Sequence, residues 1–500
     1  VDFIFDFGSP NAYLTHRTRD RILNTGPDRA DIDTQIPWLA TGLVGLFLIL
    51  VAFPRLDAYP WTAPDELHHL VVSRNIAEHS AYASGNPEIG FIYFDHVDSV
   101  GPSVLAPVAA AFSVFSPTLI LARVVMGLFF LVFALGIFVL VREHWGSQAG
   151  LLSVLLTTLS FGTIYLGRSL YGEVPAMMFL VWSMICWGRS IEAERGHLFA
   201  LLAGILWGLG ILAKTFLFLS AFPIIAVWIY DRLTTKRIDW SCVALPALGG
   251  VGVLGAWYGV VNHFSYLVPD EISTLFLYRH YLMFGIPSTL NGLMWFLQQP
   301  VYLVGLIGIV WFTVTYLFRG KMNPALLVLL MTAELYLFWW LFFTPSTISR
   351  YTWYSCAILG IFSGPALLQG VELVRSSATG RARKIGVAVV CGAILLSAGF
   401  RLIEQLDLIY VKDEAWDERN LAAHMRTIPE NTVMATGYWP LSMNMDFMTG
   451  RRVDGIEDLS QIDDKYEVII YNVEIHPLDP EVLENSERFG RYAVVHRDRK

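Results

Sequence analysis

Eleven apolar runs dominate this chain and leave few ways for it to fold. They cover roughly 37–54, 119–141, 150–167, 174–190, 198–213, 215–230, 241–261, 301–318, 324–343, 352–374 and 385–402. A helix needs about 20 apolar residues to cross a bilayer, and in hydrocarbon only helices and closed barrels satisfy every backbone polar group. Runs of this length predict an all-α polytopic membrane protein with about eleven transmembrane helices. The fifth and sixth runs are separated only by Lys214. Composition agrees: 55% of the 500 residues are hydrophobic and 16% are charged, where a soluble domain carries about 25% charged residues. No stretch is basic enough for nucleic acid. The first run follows a charged arm, 1–36, and reads as an uncleaved span.

Charge sets the expected orientation. Taking the N-terminus as cytoplasmic, the inner segments carry 16 Lys and Arg and the outer ones 6, as the positive-inside rule requires. The odd number of spans then puts the tail, 404–500, outside. That tail holds 20 acidic and 11 basic residues. Short β-like runs at 432–435, 467–471 and 492–496, flanked by helical stretches at 413–426 and 480–486, predict a small α/β domain there. The chain thus divides into the arm, a membrane domain at 37–403 and a water-exposed domain at 404–500. The four cysteines show no CxxC spacing, so neither a disulfide framework nor a zinc site is expected from them.

The same orientation gathers the awkward polar residues on one face: Asp65, Glu66, His68 and His69; Arg168 and Glu173; Lys214; Arg279 and His280; Arg350 and Tyr351. An active site at one membrane face produces such a pattern. The first outside loop, 55–117, carries much of it. Thr62-Ala63-Pro64-Asp65 resembles a helix start with a capping hydroxyl, and 65–79 has helical propensity. A second stretch from Gly101-Pro102 to about Phe115 reads as a helix lying in the interface. Each residue also has a plainer reading. Acids in a first turn stabilise the helix, and cations at span ends snorkel. Adjacent histidines point about 100° apart on a helix, so His68 and His69 are not expected to share a metal ion with Asp65 or Asp95. No cofactor is assigned.

The stretch Pro64-Asp65-Glu66-Leu67-His68-His69, followed by Gly101-Pro102, resembles the first periplasmic loop of the GT-C glycosyltransferases. It is most similar to the branch of the protein O-mannosyltransferases and lipid A aminoarabinose transferases. Arg168-Ser-Leu-Tyr-Gly-Glu173-Val-Pro175 resembles the acid that opens that family's fourth span. Gly210-Ile-Leu-Ala-Lys214 resembles the end of its fifth helix, and Arg350-Tyr351 the Arg-Tyr that opens a late helix. The resemblance runs from about Pro37 to the tail. One departure is Leu-His-His after the acidic pair, where the aminoarabinose transferases continue with an Arg-Tyr type of sequence.

The resemblance implies a GT-C fold and a multi-pass location in a bacterial inner membrane, with the C-terminal domain periplasmic. It implies a polyprenyl-phosphate sugar donor and a glycolipid or cell-envelope glycan acceptor. Asp65 falls on the family's acid/base residue, with Glu66 and Glu173 as its partners. Lys214, Arg350, Tyr351, Arg168 and Arg279 are candidates for the donor phosphate, and His68, His69 and His280 for acceptor positioning. The chemistry agrees, since a departing phosphate builds charge that fixed cations stabilise and a carboxylate relieves the acceptor hydroxyl of its proton. The rival reading is a transporter or flippase of lipid-linked sugars, which places charges within its spans. Here the charges collect at one face, with Glu334 the main exception. Separately, residues 1–17 resemble the N-terminus of the 2-hydroxychromene-2-carboxylate isomerases, with Ser9 at their active-site serine. Too little of that fold is present for its activity to be expected.

Overall fold

The computed structural model describes residues 38–87, 90–94, 100–160, 162–192, 196–234, 236, 238–264, 323–343, 352–375, 380–437, 439–456 and 465–497. The membrane domain begins with α1 (Trp38–Ala52). The first loop then contributes α2 (Pro64–His79), a hairpin of β1 (Ala83–Asn86) and β2 (Gly90–Tyr93), and α3 (Pro102–Val114). The helices that follow are α4 (Leu119–Trp145), α5 (Ser147–Thr158), α6 (Thr163–Arg168), α7 (Glu173–Glu192), α8 (His197–Ala213), α9 (Ala221–Thr234), α10 (Ser241–His263), α11 (Pro324–Phe343), α12 (Trp353–Arg375) and α13 (Arg381–Leu406). Ten of the eleven apolar runs fall on these helices, and the run 301–318 lies outside the described residues. Among the described residues six helical segments are long and apolar enough to cross a membrane, and shorter apolar helices such as α1 and α8 accompany them. The chain is a multi-pass membrane protein.

Lipid tails are as apolar as leucine, so these helices associate through close packing and interhelical hydrogen bonds. Small residues supply the approach. A Cβ on Gly204 of α8 would meet the Pro246 carbonyl of α10 at 2.0 Å, and one on Gly364 of α12 would meet Ser153 Oγ of α5 at 2.4 Å. Ser153 Oγ in turn donates to the Ile361 carbonyl at 2.6 Å. Outward-facing residues such as Leu39, Leu43, Leu128, Leu135, Leu396 and Phe400 are exposed and apolar, as lipid contact demands. At Lys214 the chain breaks out of α8 and enters a 3-10 turn, Thr215–Ser220, before α9. The narrow gap between the fifth and sixth runs is a true helix boundary.

The described residues of the first loop form the two helices that the sequence predicts, with one difference. The residue preceding α2 is Ala63, and no side chain caps the helix. The Thr62 hydroxyl instead accepts from Arg123 Nη2 at 3.4 Å. Pro64 opens the helix, and Ser80 closes it in the left-handed region at φ 53°. Asn75 of α2 donates to the Ala83 and Gly85 carbonyls at 2.8 Å each, which stitches the hairpin to the helix.

The C-terminal domain is a five-stranded mixed sheet flanked by helices. Its elements are α14 (Trp416–Met425), β3 (Met434–Thr436), α15 (Trp439–Thr449), β4 (Asp454–Gly455), β5 (Val468–Asn472), α16 (Pro480–Glu484), β6 (Glu487–Phe489) and β7 (Tyr492–His496), with strand order β4-β3-β5-β7-β6. Strand β3 pairs in parallel with β4 and β5, while β7 is antiparallel to β5 and β6. The core is Leu421, Met425, Met434, Met445, Ile470 and Val494 with their neighbours.

This domain caps the first loop. Arg74 of α2 pairs with Asp446 of α15 at 2.8 Å and lies over the Phe447 ring. The Trp61 backbone N–H donates to Glu414 Oε2 at 3.0 Å, and its indole N–H donates to Glu418 Oε1 at 3.1 Å. Arg491 stacks over the Trp61 ring at 5.6 Å while pairing with Glu418.

Candidate active site

Six charged residues, Asp65, Glu66, Arg123, Arg168, Glu173 and Lys214, gather at one end of the bundle, beneath the cap. The scaffold consists of two buried arginines. Arg123, in the second turn of α4, is fully buried. Its Nε donates to Glu66 Oε1 at 3.0 Å, Nη2 to Glu66 Oε2 at 2.7 Å and Nη1 to the Leu56 carbonyl at 2.6 Å. A two-point arginine–carboxylate pair of this kind is strong and directional. Arg168, at the end of α6, donates to the carbonyls of Val51, Pro54, Arg55 and Tyr59. The last carbonyls of a helix have no partner within it. Arg168 satisfies that end of α1 and closes the turn after it.

These contacts fix the surroundings of two of the candidates. The Glu66 carboxylate is buried against Arg123 and also accepts from the Leu170 N–H at 3.1 Å. All three nitrogens of Arg168 serve backbone carbonyls. Arg123 itself was not singled out from the sequence. The signal was present as an ionisable residue inside an apolar span, which is costly and usually has a purpose.

The remaining candidates converge. His69 sits one turn beyond Glu66 on α2 and faces the Leu170 carbonyl through Nδ1 at 2.6 Å. Together Glu66 and His69 grip both backbone groups of Leu170. This holds the tight turn at Gly172, which has φ +82° and whose Cβ would clash with the Ala213 carbonyl at 2.5 Å. That turn delivers Glu173, the first residue of α7, to Lys214 at the end of α8. Glu173 Oε1 lies 3.4 Å from Lys214 Nζ, with both side chains buried. Lys214 Nζ also donates to the Tyr171 carbonyl at 3.2 Å. Glu173 Oε2 is buried and accepts no hydrogen bond among the described residues.

Asp65 and Lys214 both act electrostatically on the His69 ring, as does His68. Burial, reinforced by the Lys214 charge, pulls the His69 pKa down to about 3. The ring is therefore neutral at physiological pH, donating through Nδ1 to Leu170. Asp65 differs from its neighbour Glu66 in being only half buried, whereas His68 is buried. The arrangement offers a half-buried carboxylate and a buried cation–carboxylate pair, with a neutral imidazole on which Asp65 and Lys214 both act. A carboxylate so placed can take a proton, and a buried cation can hold an oxyanion. Arg279, His280, Arg350, Tyr351, Asp95 and the N-terminal arm with Ser9 lie outside the described residues.

Residues 99–257 match the family model described as dolichyl-phosphate-mannose-protein mannosyltransferase. That span contains Arg123, Arg168, Glu173 and Lys214 but not the helix bearing Asp65. No curated protein sequence matches the chain. Among solved structures, ArnT from Cupriavidus metallidurans bound to undecaprenyl phosphate is similar, with TM-score 0.62 and 14% identity over 91% of this chain and 97% of that one. The archaeal oligosaccharyltransferase AglB from Archaeoglobus fulgidus, in complex with an inhibitory peptide and a dolichol-phosphate, is also similar. It aligns with TM-score 0.55 and 12% identity over 88% of this chain and 69% of that one. The chain therefore has the GT-C glycosyltransferase fold, resembling the ArnT branch, with a small α/β domain seated on its first loop.

Proposed function

We propose that this protein transfers a monosaccharide from a polyprenyl-phosphate donor to a glycolipid or cell-envelope glycan in a bacterial inner membrane. The N-terminus is cytoplasmic, and the site and the C-terminal domain lie outside. The supporting observation is the juxtaposition of the half-buried Asp65 with the buried Lys214–Glu173 pair, at the end of the bundle that the cap covers. The undecaprenyl phosphate bound to ArnT supports the donor class.

In this reading the acceptor hydroxyl gives its proton to the Asp65 carboxylate as its oxygen attacks the anomeric carbon. The bond from that carbon to the phosphate oxygen breaks, and the sugar inverts in a single displacement. The polyprenyl phosphate leaves with its charge stabilised by Lys214, with Arg279, Arg350 and Tyr351 as further phosphate ligands. Glu173 orients Lys214, and His68, His69 and His280 line the acceptor side.

The test is release of polyprenyl phosphate by the purified protein, given a panel of polyprenyl-phosphate sugars and a lipid acceptor extract. Release by wild type, lost in a folded Asp65→Asn variant, supports the reading. Equal release by both moves the base elsewhere. Absence of release with every donor refutes the transferase.

A further inference from the structure

Three side chains far apart in sequence meet on the outer edge of the cap: His424 on α14, Glu487 on β6 and His496 on β7. One ligating atom from each lies within 4.8 Å of the others. Glu487 Oε2 is 3.5 Å from His424 Nδ1, and Glu487 Oε1 is 3.5 Å from His496 Nε2. These separations exceed the roughly 2.7–3.2 Å of an N–H···O hydrogen bond. They match the spacing of ligands around an ion, because two atoms each about 2.0–2.1 Å from a tetrahedral zinc lie about 3.3 Å apart. The His424 ring packs at a 34° tilt against Phe489, 4.8 Å between centroids, and its buried Nε2 has no hydrogen-bond partner among the described residues. Packing thus fixes the ring with Nδ1 turned towards Glu487.

We infer that His424, Glu487 and His496 form a binding site for a divalent transition metal of the zinc class. Two imidazoles and one carboxylate are the donor set such ions prefer over magnesium or calcium, which take oxygen ligands. Glu487 and His496 are exposed, so the ion completes its shell with water and exchanges with solvent. The ion joins α14 to the β6–β7 hairpin. Those two elements also hold the first loop, since Glu418 of α14 accepts from the Trp61 indole and from the Tyr492 hydroxyl at the start of β7. The metal braces the cap and takes no part in the chemistry beneath it.

The experiment titrates zinc into the full-length detergent-solubilised protein, with any affinity tag removed, against a chromophoric chelator. It is repeated with His496→Asn and Glu487→Gln, whose side chains are exposed and whose loss leaves the sheet core intact. The expected result is one strong site per chain, weakened at least about tenfold in each variant, since loss of a mere orienting partner costs that much. Cobalt(II) in place of zinc gives visible d–d absorption in wild type that both variants lose. Equal zinc binding by wild type and both variants overturns the site. So does wild-type binding no tighter than about millimolar, which leaves an ordinary histidine–glutamate ion-pair cluster.

Discussion

Replacing Glu66 by Gln keeps the shape of the side chain and strands the charge of Arg123. The guanidinium retains the Leu56 carbonyl and the weak contact with Thr62, but it loses its only carboxylate partner among the described residues, in a site with no solvent exposure. Removing one member of a buried pair typically costs about 3–5 kcal/mol, because the survivor stays desolvated and uncompensated. The Gln amide still accepts from Leu170, so the lower figure, about 3 kcal/mol, is expected. A chain of this size loses roughly 1–2 °C of Tm per kcal/mol, so the apparent Tm falls by about 5 °C. The assay is thermal unfolding in detergent followed by tryptophan fluorescence. The companion variant Glu66→Gln/Arg123→Gln removes the stranded charge and recovers most of the loss, since two neutral amides in the same space carry no uncompensated charge. A Glu66→Gln protein with unchanged Tm and no transferase activity would refute the reasoning, because it would put Glu66 in the chemistry rather than in the scaffold.

Three further outcomes are expected. Lys214→Met removes the cation facing Glu173 and lowers the rate of donor cleavage by about 100-fold or more, as loss of a charge-stabilising group does; an unchanged rate in the polyprenyl-phosphate release assay would exclude Lys214 from the phosphate site. His69 has a folded pKa near 3 against an ordinary 6.5, so the unfolded chain takes up the proton first. Its contribution is present above pH 6.5 and is lost as pH falls towards 3, amounting to about 3 kcal/mol at pH 4; unfolding of wild type and His69→Gln at pH 7 and pH 4 measures the difference, which should shrink on acidification. Arg74→Met breaks the Asp446 pair and the contact over Phe447, and limited proteolysis should then cut the cap junction faster while the membrane domain stays intact.

Helix positions were legible because bilayer thickness imposes a length that few other constraints mimic, and α2 and α3 were legible from their opening prolines. Strands β5 and β7 and helix α14 also fall where the tail's pattern predicts them. Helix α15 was not anticipated, because its buried faces are defined by docking on α2 and on the sheet, contacts that no local pattern reveals. The site shows the same division. Glu173 lies beside Lys214, and Lys214 and Asp65 both act on His69, four residues that the sequence places on one face. Residue type could not separate Asp65 from Glu66, adjacent acids with opposite surroundings, one half open and one sealed against Arg123. Nor could it show that Arg168 closes the end of α1, since hydrogen bonds to carbonyls more than a hundred residues earlier depend on tertiary structure alone.

The grip on Leu170 has a mechanical consequence. One peptide unit is held at its N–H by Glu66 and at its carbonyl by His69, and the same short turn launches Glu173. The helix carrying Asp65 and the helix carrying Glu173 are thereby tied together through a single peptide unit. The C-terminal domain is fastened separately, at Arg74 and Trp61, so the spacing of these two helices is set within the membrane domain itself.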